Sequence, residues 1–180
     1  SLEDRELLQA FEQDPHQEIK VAAMNELAAR DYKGLEPLAA NILTNISLPA
    51  AMRAQGAEVL AGALGSKVAD QFIDLAKQQE VTLEHLRRRM GELLAELRDE
   101  GVDRKTEKLL GKGKPHQRLF ALIASQFNEE PKVVKKLIKA LTDKDEAVWR
   151  LAVEVARRRR FEAAEKELSK QLDKAKKDEE

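Results

Sequence analysis

The residues with which this chain could begin acid–base, nucleophilic or metal chemistry are few. Its three histidines are His16, His85 and His116, and no His-x-x-x-His or His-Glu-x-x-His pair sets two imidazoles on one helical face for a zinc ion. There is no cysteine, which excludes a thiol nucleophile, a cysteine-ligated metal and a disulfide scaffold. Ser1, Ser47, Ser66, Ser125 and Ser169 have no adjacent histidine to activate them, and no Gly-x-Ser-x-Gly elbow occurs. The run Gly62-Ala63-Leu64-Gly65-Ser66-Lys67 misses the spacing of a phosphate loop and follows a helical pattern instead of a strand, so it reads as a helix end stopped by Gly65. Gly111-Lys112-Gly113-Lys114-Pro115 also lacks the motif and is expected to be the most mobile internal loop. Carboxylates are plentiful, but they lie on charged helices without a feature that makes them catalytic. The expectation is a chain that is not an enzyme and has no catalytic residues, no cofactor and no metal.

What remains is anion-binding chemistry. The net charge of -1 hides a polarity along the chain. Residues 1–80 hold 7 Lys+Arg against 13 Asp+Glu, residues 81–170 hold 22 against 16, and the last ten hold 3 against 4. The segments therefore carry nets of -6, +6 and -1. Within the basic half, Arg87, Arg88, Arg89, Lys112, Lys114, Arg118, Arg150, Arg157, Arg158 and Arg159 are the candidate binding surface, with Lys132, Lys135, Lys136, Lys139 and Arg160 nearby in sequence. Positions 150, 157 and 158 share a helical face. Against this, Glu92, Glu96, Glu146 and Glu154 are interleaved, and charge runs on helices are ordinarily solvated faces with i, i+4 pairs. Base stacking has little support: apart from Tyr32 and Trp149 every aromatic is a Phe at a core-like position, and Trp149 is expected to pack inside.

The elements that must position these residues are helices. Of 180 residues 42% are hydrophobic and only 4% aromatic, enough apolar content for a folded core and inconsistent with a disordered tail. Leu, Ala, Glu, Lys and Arg dominate, all strong helix formers. Many windows show i, i+3, i+4, i+7 spacing and none sustains the alternation of a half-buried strand. Breaks at 14–15, 32–35, 47–49, 65–66, 79–82, 101–103, 111–115, 128–131, 142–145 and 160–161 leave about eleven helices, with connections so short that neighbours must pack antiparallel. The longest apolar or glycine run, Val59 to Gly65, has seven residues, far short of the roughly 20 that span a bilayer. A membrane partner is not expected, and a soluble, cytoplasmic chain is. The start at Ser1-Leu2 reads as a trimmed chain or fragment.

Alternate helices repeat a pattern: an apolar residue, a basic residue, a small residue three further on, and often Leu four beyond. The sets are Ile19, Lys20, Ala23, Leu27; Met52, Arg53, Gly56, Leu60; Leu86, Arg87, Met90, Leu94; Gln117, Arg118, Ala121, Ser125; and Val148, Trp149, Ala152, Ala156. The first members are spaced 33, 34, 31 and 31 apart. Three slots depart from the rule: Gln117 is not apolar, Trp149 stands in the basic slot beside Arg150, and Met90 replaces a small residue next to Gly91.

This pattern, clearest in residues 143–156 and next in 14–27, resembles the HEAT repeat (HEAT/armadillo-like) family of helical arrays over nearly the whole chain. The resemblance implies an all-α, right-handed α-solenoid: about five antiparallel helical hairpins over 2–32, 33–65, 66–101, 102–128 and 129–160, with a capping helix over 161–176. Phe161, Ala164, Leu168 and Leu172 would face inward on that cap. It also implies a concave face lined by second helices, structural links between repeats for Lys20, Arg53, Arg87 and Arg118, and a scaffold for a protein partner as the leading function. Phosphate-backbone binding of nucleic acid by the basic half is the alternative. Metal sites like those of HEAT-repeat hydroxylases would need recurring His-Glu dipeptides, which are absent. An enzymatic reading by analogy with HEAT-like glycosylases or bilin lyases would require a closed pocket.

Overall fold

A computed structural model describes residues 2–78, 83–159, 165–166 and 169–170. The expected capping residues Phe161, Ala164, Leu168 and Leu172, Arg160 and the 79–82 break lie outside this set. Among the described residues there is no strand and there are ten α-helices. They are α1 (Leu2–Gln13), α2 (Gln17–Ala29), α3 (Leu35–Thr44), α4 (Ala50–Leu64), α5 (Ala69–Lys77), α6 (Glu84–Leu97), α7 (Glu100–Lys112), α8 (Pro115–Ala124), α9 (Pro131–Lys139) and α10 (Glu146–Arg159). Short 3₁₀ turns at Gly65–Val68 and Ala140–Thr142 complete the set. The protein is all-helical, and no described helix is long and apolar enough to cross a membrane. Two compact units divide inside α6, Ser1–Met90 and Gly91–Glu180.

Local chemistry sets the helix ends. Asp14 Oδ1 accepts from the His16 N–H at 2.8 Å in the turn before α2. Gly65, at φ 55°, closes α4 in the left-handed region that glycine tolerates best, as the sequence led us to expect. Asp145 Oδ1 accepts the Val148 N–H at 3.1 Å and so caps α10, an orphan donor satisfied in the usual N-terminal way.

Several expectations need correction. The break placed at 101–103 lies at Arg98-Asp99, because Asp99 Oδ1 caps α7 by accepting the Gly101 and Val102 N–H groups at 2.8 and 3.1 Å. α7 is therefore 13 residues long, not a short helix from Asp103. The glycine loop shrinks to Gly113-Lys114 and is pinned at both ends. Gly113 N–H donates to Leu109 O at 2.7 Å, Gly113 O accepts from Arg118, and the Lys114 N–H donates to Gln117 Oε1 at 2.9 Å. A Cβ on Gly113 would come within 2.5 Å of Leu109 O, so the tight corner admits only glycine without a shift. Gln117 is polar because it reaches back to the backbone before α8, the half of a capping box that an apolar residue cannot supply. Ser125 stands where Leu was expected because its hydroxyl, wholly buried, donates to Thr106 Oγ1 on α7 at 3.1 Å. Trp149 is 38% exposed and Ile19 43%, so neither packs inside as its slot predicted. The buried face of α10 is set by Val148, Leu151, Ala152, Val155 and Ala156, and position 149 turns away from it.

In the N-terminal unit α1 packs on α2 and α3 on α4, and α2 touches both α3 and α4. Met24, Leu27, Leu43, Leu60 and Phe72 are fully buried there. Each such side chain contributes roughly 1.5–3 kcal/mol by leaving water. Gly56 sits at the α3/α4 crossing, where a Cβ would lie 2.9 Å from Ala39 O. In the C-terminal unit α7 packs on α8 and α9 on α10, while α7 also meets α9 and α8 meets α10. Its core joins Leu110, Leu122, Val133, Leu137, Leu141, Val148 and Val155.

Candidate anion-binding groove

The basic residues divide into two groups by what they touch. The first is set by helix register. Lys20, Arg53, Arg87 and Arg118 are each the fourth residue of their helix, in α2, α4, α6 and α8, and Trp149 is the fourth of α10. From that position Lys20 Nζ donates to Glu12 O at 3.2 Å, Arg53 Nε to Leu43 O at 2.9 Å and an Arg118 terminal nitrogen to Gly113 O at 2.7 Å. In all three the accepting carbonyl lies at the C-terminal end of the preceding helix, where the last turn has unpaired carbonyls and a partial negative charge. Arg118 also binds Asp143 Oδ1 at 2.7 Å. Arg53 and Arg87 are buried, and desolvation lowers the pKa of both guanidinium groups without discharging them. Lys20, Arg53 and Arg118 thus tie one helix to another or to its end.

The second group lines a groove of about 720 Å³ in the C-terminal unit, between the end of α7, the outer side of α9 and the turn before α10. Lys112, Arg118, Lys132, Lys135, Lys136, Lys139 and Lys144 line it against only Glu107 and Asp143, seven cations to two anions or a net of +5. Leu110 and Ala140 form its apolar floor. The α9 lysines arise from plain amphipathicity. Val133 and Leu137 are buried, and positions 132, 135, 136 and 139 fall on the opposite, solvent-facing stripe at i, i+3, i+4, i+7.

Both anions of the groove are already engaged. Asp143 pairs with Arg118, and Lys136 Nζ binds Glu107 Oε1 at 2.7 Å and Glu107 O at 3.1 Å. Hydrogen bonding from Lys136 holds the Glu107 carboxyl below the ordinary glutamate range. The side chains of Lys112, Lys132, Lys135, Lys139 and Lys144 form no ion pair or hydrogen bond with another described residue. Five unpaired ammonium groups around one hollow make a field that attracts anions.

Of the ten residues singled out in the sequence, this groove gathers only Lys112 and Arg118. Lys114 is exposed at the adjoining corner. Arg87 is buried, Arg88 is partly exposed, and Arg89 pairs with Glu58 at 2.7 Å. On α10, Arg150 pairs with Glu146 and Arg158 with Glu154, both i, i+4, while Arg157 is exposed. Arg159 donates to Asn128 O at 2.7 Å in a separate hollow of about 320 Å³, where Arg98 lies 6.0 Å from the Phe127 ring centre. The groove is thus built mainly on α7 and α9, whereas the resemblance implied a face lined by second helices. The signal for it was present in the lysine stripe of residues 132–139 opposite Val133 and Leu137.

No group of three or more His, Asp or Glu residues able to hold a metal ion occurs among the described residues. His16 Nδ1 lies 3.1 Å from Asp14 Oδ1 at the surface, whereas His116 is buried in the first turn of α8. The identical triplets Pro15-His16-Gln17 and Pro115-His116-Gln117 are therefore used in two ways, one at the start of α2 and one inside α8. Comparison with known proteins finds no family model and no curated protein that matches this chain.

Proposed function

We propose that this chain is a non-enzymatic helical-repeat module that binds a protein partner, its hairpins stacked as a right-handed, HEAT-like solenoid in a cytoplasmic setting. The observation that carries the reading is the division of cations. Lys20, Arg53 and Arg118, each the fourth residue of its helix, close on helix-end carbonyls, whereas Lys112, Lys132, Lys135, Lys139 and Lys144 face an open groove with no ion pair or hydrogen bond among the described residues. Shared register supports the stacked-hairpin part. The five markers Ile19, Met52, Leu86, Gln117 and Val148 are each the third residue of their helix. In the C-terminal unit first helix meets first helix and second meets second, the contact pattern of a repeat array.

Capture with the intact chain from its source, followed by cross-linking and mass spectrometry, tests the proposal. A stoichiometric protein cross-linked to the helix faces is the expected result. Recovery of nucleic acid alone, with all capture lost on nuclease treatment, would overturn it. That second reading, phosphate-backbone binding, draws on the same lysines and predicts affinity that falls linearly in log-log form with salt.

A further inference from the structure

We propose that the α7/α9 groove docks an acidic α-helical segment of the partner, its carboxylates meeting Lys132, Lys135 and Lys139 on one wall and Lys112 and Lys144 on the other. The inference rests on the binding-module reading and names the chemistry of the partner. Lys136 is tied to Glu107, so it braces the wall and leaves its three neighbours for the ligand. The first and last of those three are seven steps apart on one helix, roughly 10 Å at 1.5 Å per residue. A second helix with acids at the same i, i+3, i+7 intervals presents carboxylates at the same separations. Lys135 and Lys139 are also like charges at i, i+4, an arrangement that destabilises a helix unless an anion lies between them. Lysine stems and the Leu110–Ala140 floor give the groove carbon walls for an apolar residue among the acids.

Nucleic acid fits less well. Among the described residues no aromatic side chain lines the groove to stack a base, and the guanidinium of Arg118 already uses both terminal nitrogens on Gly113 O and Asp143. A hollow of about 720 Å³ admits a row of side chains, whereas a duplex would touch only its rim.

Fluorescence anisotropy with the full chain decides the matter. The probes are a labelled helical peptide of ~16 residues with glutamates at i, i+3, i+4 and i+7, its glutamine counterpart, and a DNA duplex. The glutamate peptide should bind, and the glutamine peptide about tenfold more weakly or not at all. Lys135→Glu with Lys139→Glu should weaken the glutamate peptide by about tenfold or more, while Lys33→Glu with Lys67→Glu, matched in charge but in the other unit, should change it less than about twofold. Circular dichroism should show the same helicity in both variants. Equal binding of the two peptides, equal loss in both variants, or tighter binding of the duplex than of the glutamate peptide overturns the inference. A captured partner that Lys135→Glu with Lys139→Glu still retains removes this groove and leaves the binding-module reading standing; absence of any captured protein removes both.

Discussion

The hollow over α2 and α4 in the N-terminal unit and the α7/α9 groove in the C-terminal unit are close in size, about 600 and 720 Å³, and opposite in chemistry. Asp31, Glu36 and Glu58 line the first against Lys33 alone, a net of -2. Gln55 donates to Asn25 at 2.7 Å across α4 and α2, and Glu58 takes Arg89. In the second, Lys112, Lys135, Lys139 and Lys144 have no protein partner among the described residues, and Lys132 acts on Glu107 only through its charge. Similar helix pairs thus make one hollow with an acidic lining and one with a basic lining. Function on such a scaffold lives in the side chains placed on it, not in the helices themselves.

The largest expected effect separates frame from wall within the first hollow. Gly56 and Gly62 are on the same helix, α4, but Gly56 is at the crossing with α3 and Gly62 is on the open side with nothing within 4 Å of an added Cβ. Gly56→Leu forces a side chain against the Ala39 carbonyl and should cost about 3 kcal/mol, near the upper end for overpacking. For a chain this long that lowers Tm by roughly 6–12 °C. Gly62→Ala should instead raise Tm by a few degrees, since alanine is favoured over glycine in a helix by about 1 kcal/mol. Thermal melts of the two variants check both signs. An unchanged melt for Gly56→Leu would mean that the small-residue register does not mark the helix crossing.

A smaller effect tests the division of cations. Arg118→Met removes hydrogen bonds to Gly113 O and Asp143 at a site mostly screened from solvent and should cost about 2 kcal/mol. Lys135→Met, in the same groove but with no ion pair or hydrogen bond among the described residues to lose, should stay within about 0.5 kcal/mol and is free to come out stabilising, because it removes an i, i+4 repulsion. Urea unfolding of both variants gives the two numbers directly. If Lys135→Met costs as much as Arg118→Met, the open groove is held by contacts that the structure does not show.

How much of this could be read from the sequence follows from the range of the interactions involved. Helix content, the stop at Gly65, and the small residues at Ala23, Gly56, Ala121 and Ala152, all buried, depend on local propensity and a period that a linear string displays. The basic slot was visible as a repeat, and its fourth-residue geometry explains why the same four positions recur. Trp149 was misjudged because the rule that Trp is buried is an average over residues, while burial on α10 is decided by which 100° step faces Val148 and Leu151. Gln117 and Ser125 looked like lapses in a pattern; each is polar because of one specific partner, a backbone N–H three residues back and Thr106 nineteen residues earlier. The groove was missed for a similar reason. Charge counts along the chain cannot tell Arg150, neutralised by Glu146 one turn away, from Lys139, whose neighbour one turn on, Asp143, is taken by Arg118.

The smallest effect concerns Lys136, the one α9 lysine that forms an ion pair among the described residues. Its hydrogen bond to Glu107 holds that carboxyl below the ordinary value of 4.5. A carboxyl depressed in the folded state contributes stability that is fully present above its unfolded pKa and is lost as pH falls through the folded one. The wild type should therefore exceed Lys136→Met in stability by a constant margin from neutral pH down to about pH 5, and the margin should shrink below the ordinary glutamate value. Carboxyl NMR should place the Glu107 midpoint below 4.5 in the wild type and move it upward in Lys136→Met. A wild-type midpoint at the ordinary value would mean that Glu107 does not hold Lys136. The ammonium would then join Lys132, Lys135 and Lys139 as a fourth open cation on one stripe, with Lys132 and Lys136 now a second repelling i, i+4 pair, and the contrast between the two hollows would widen.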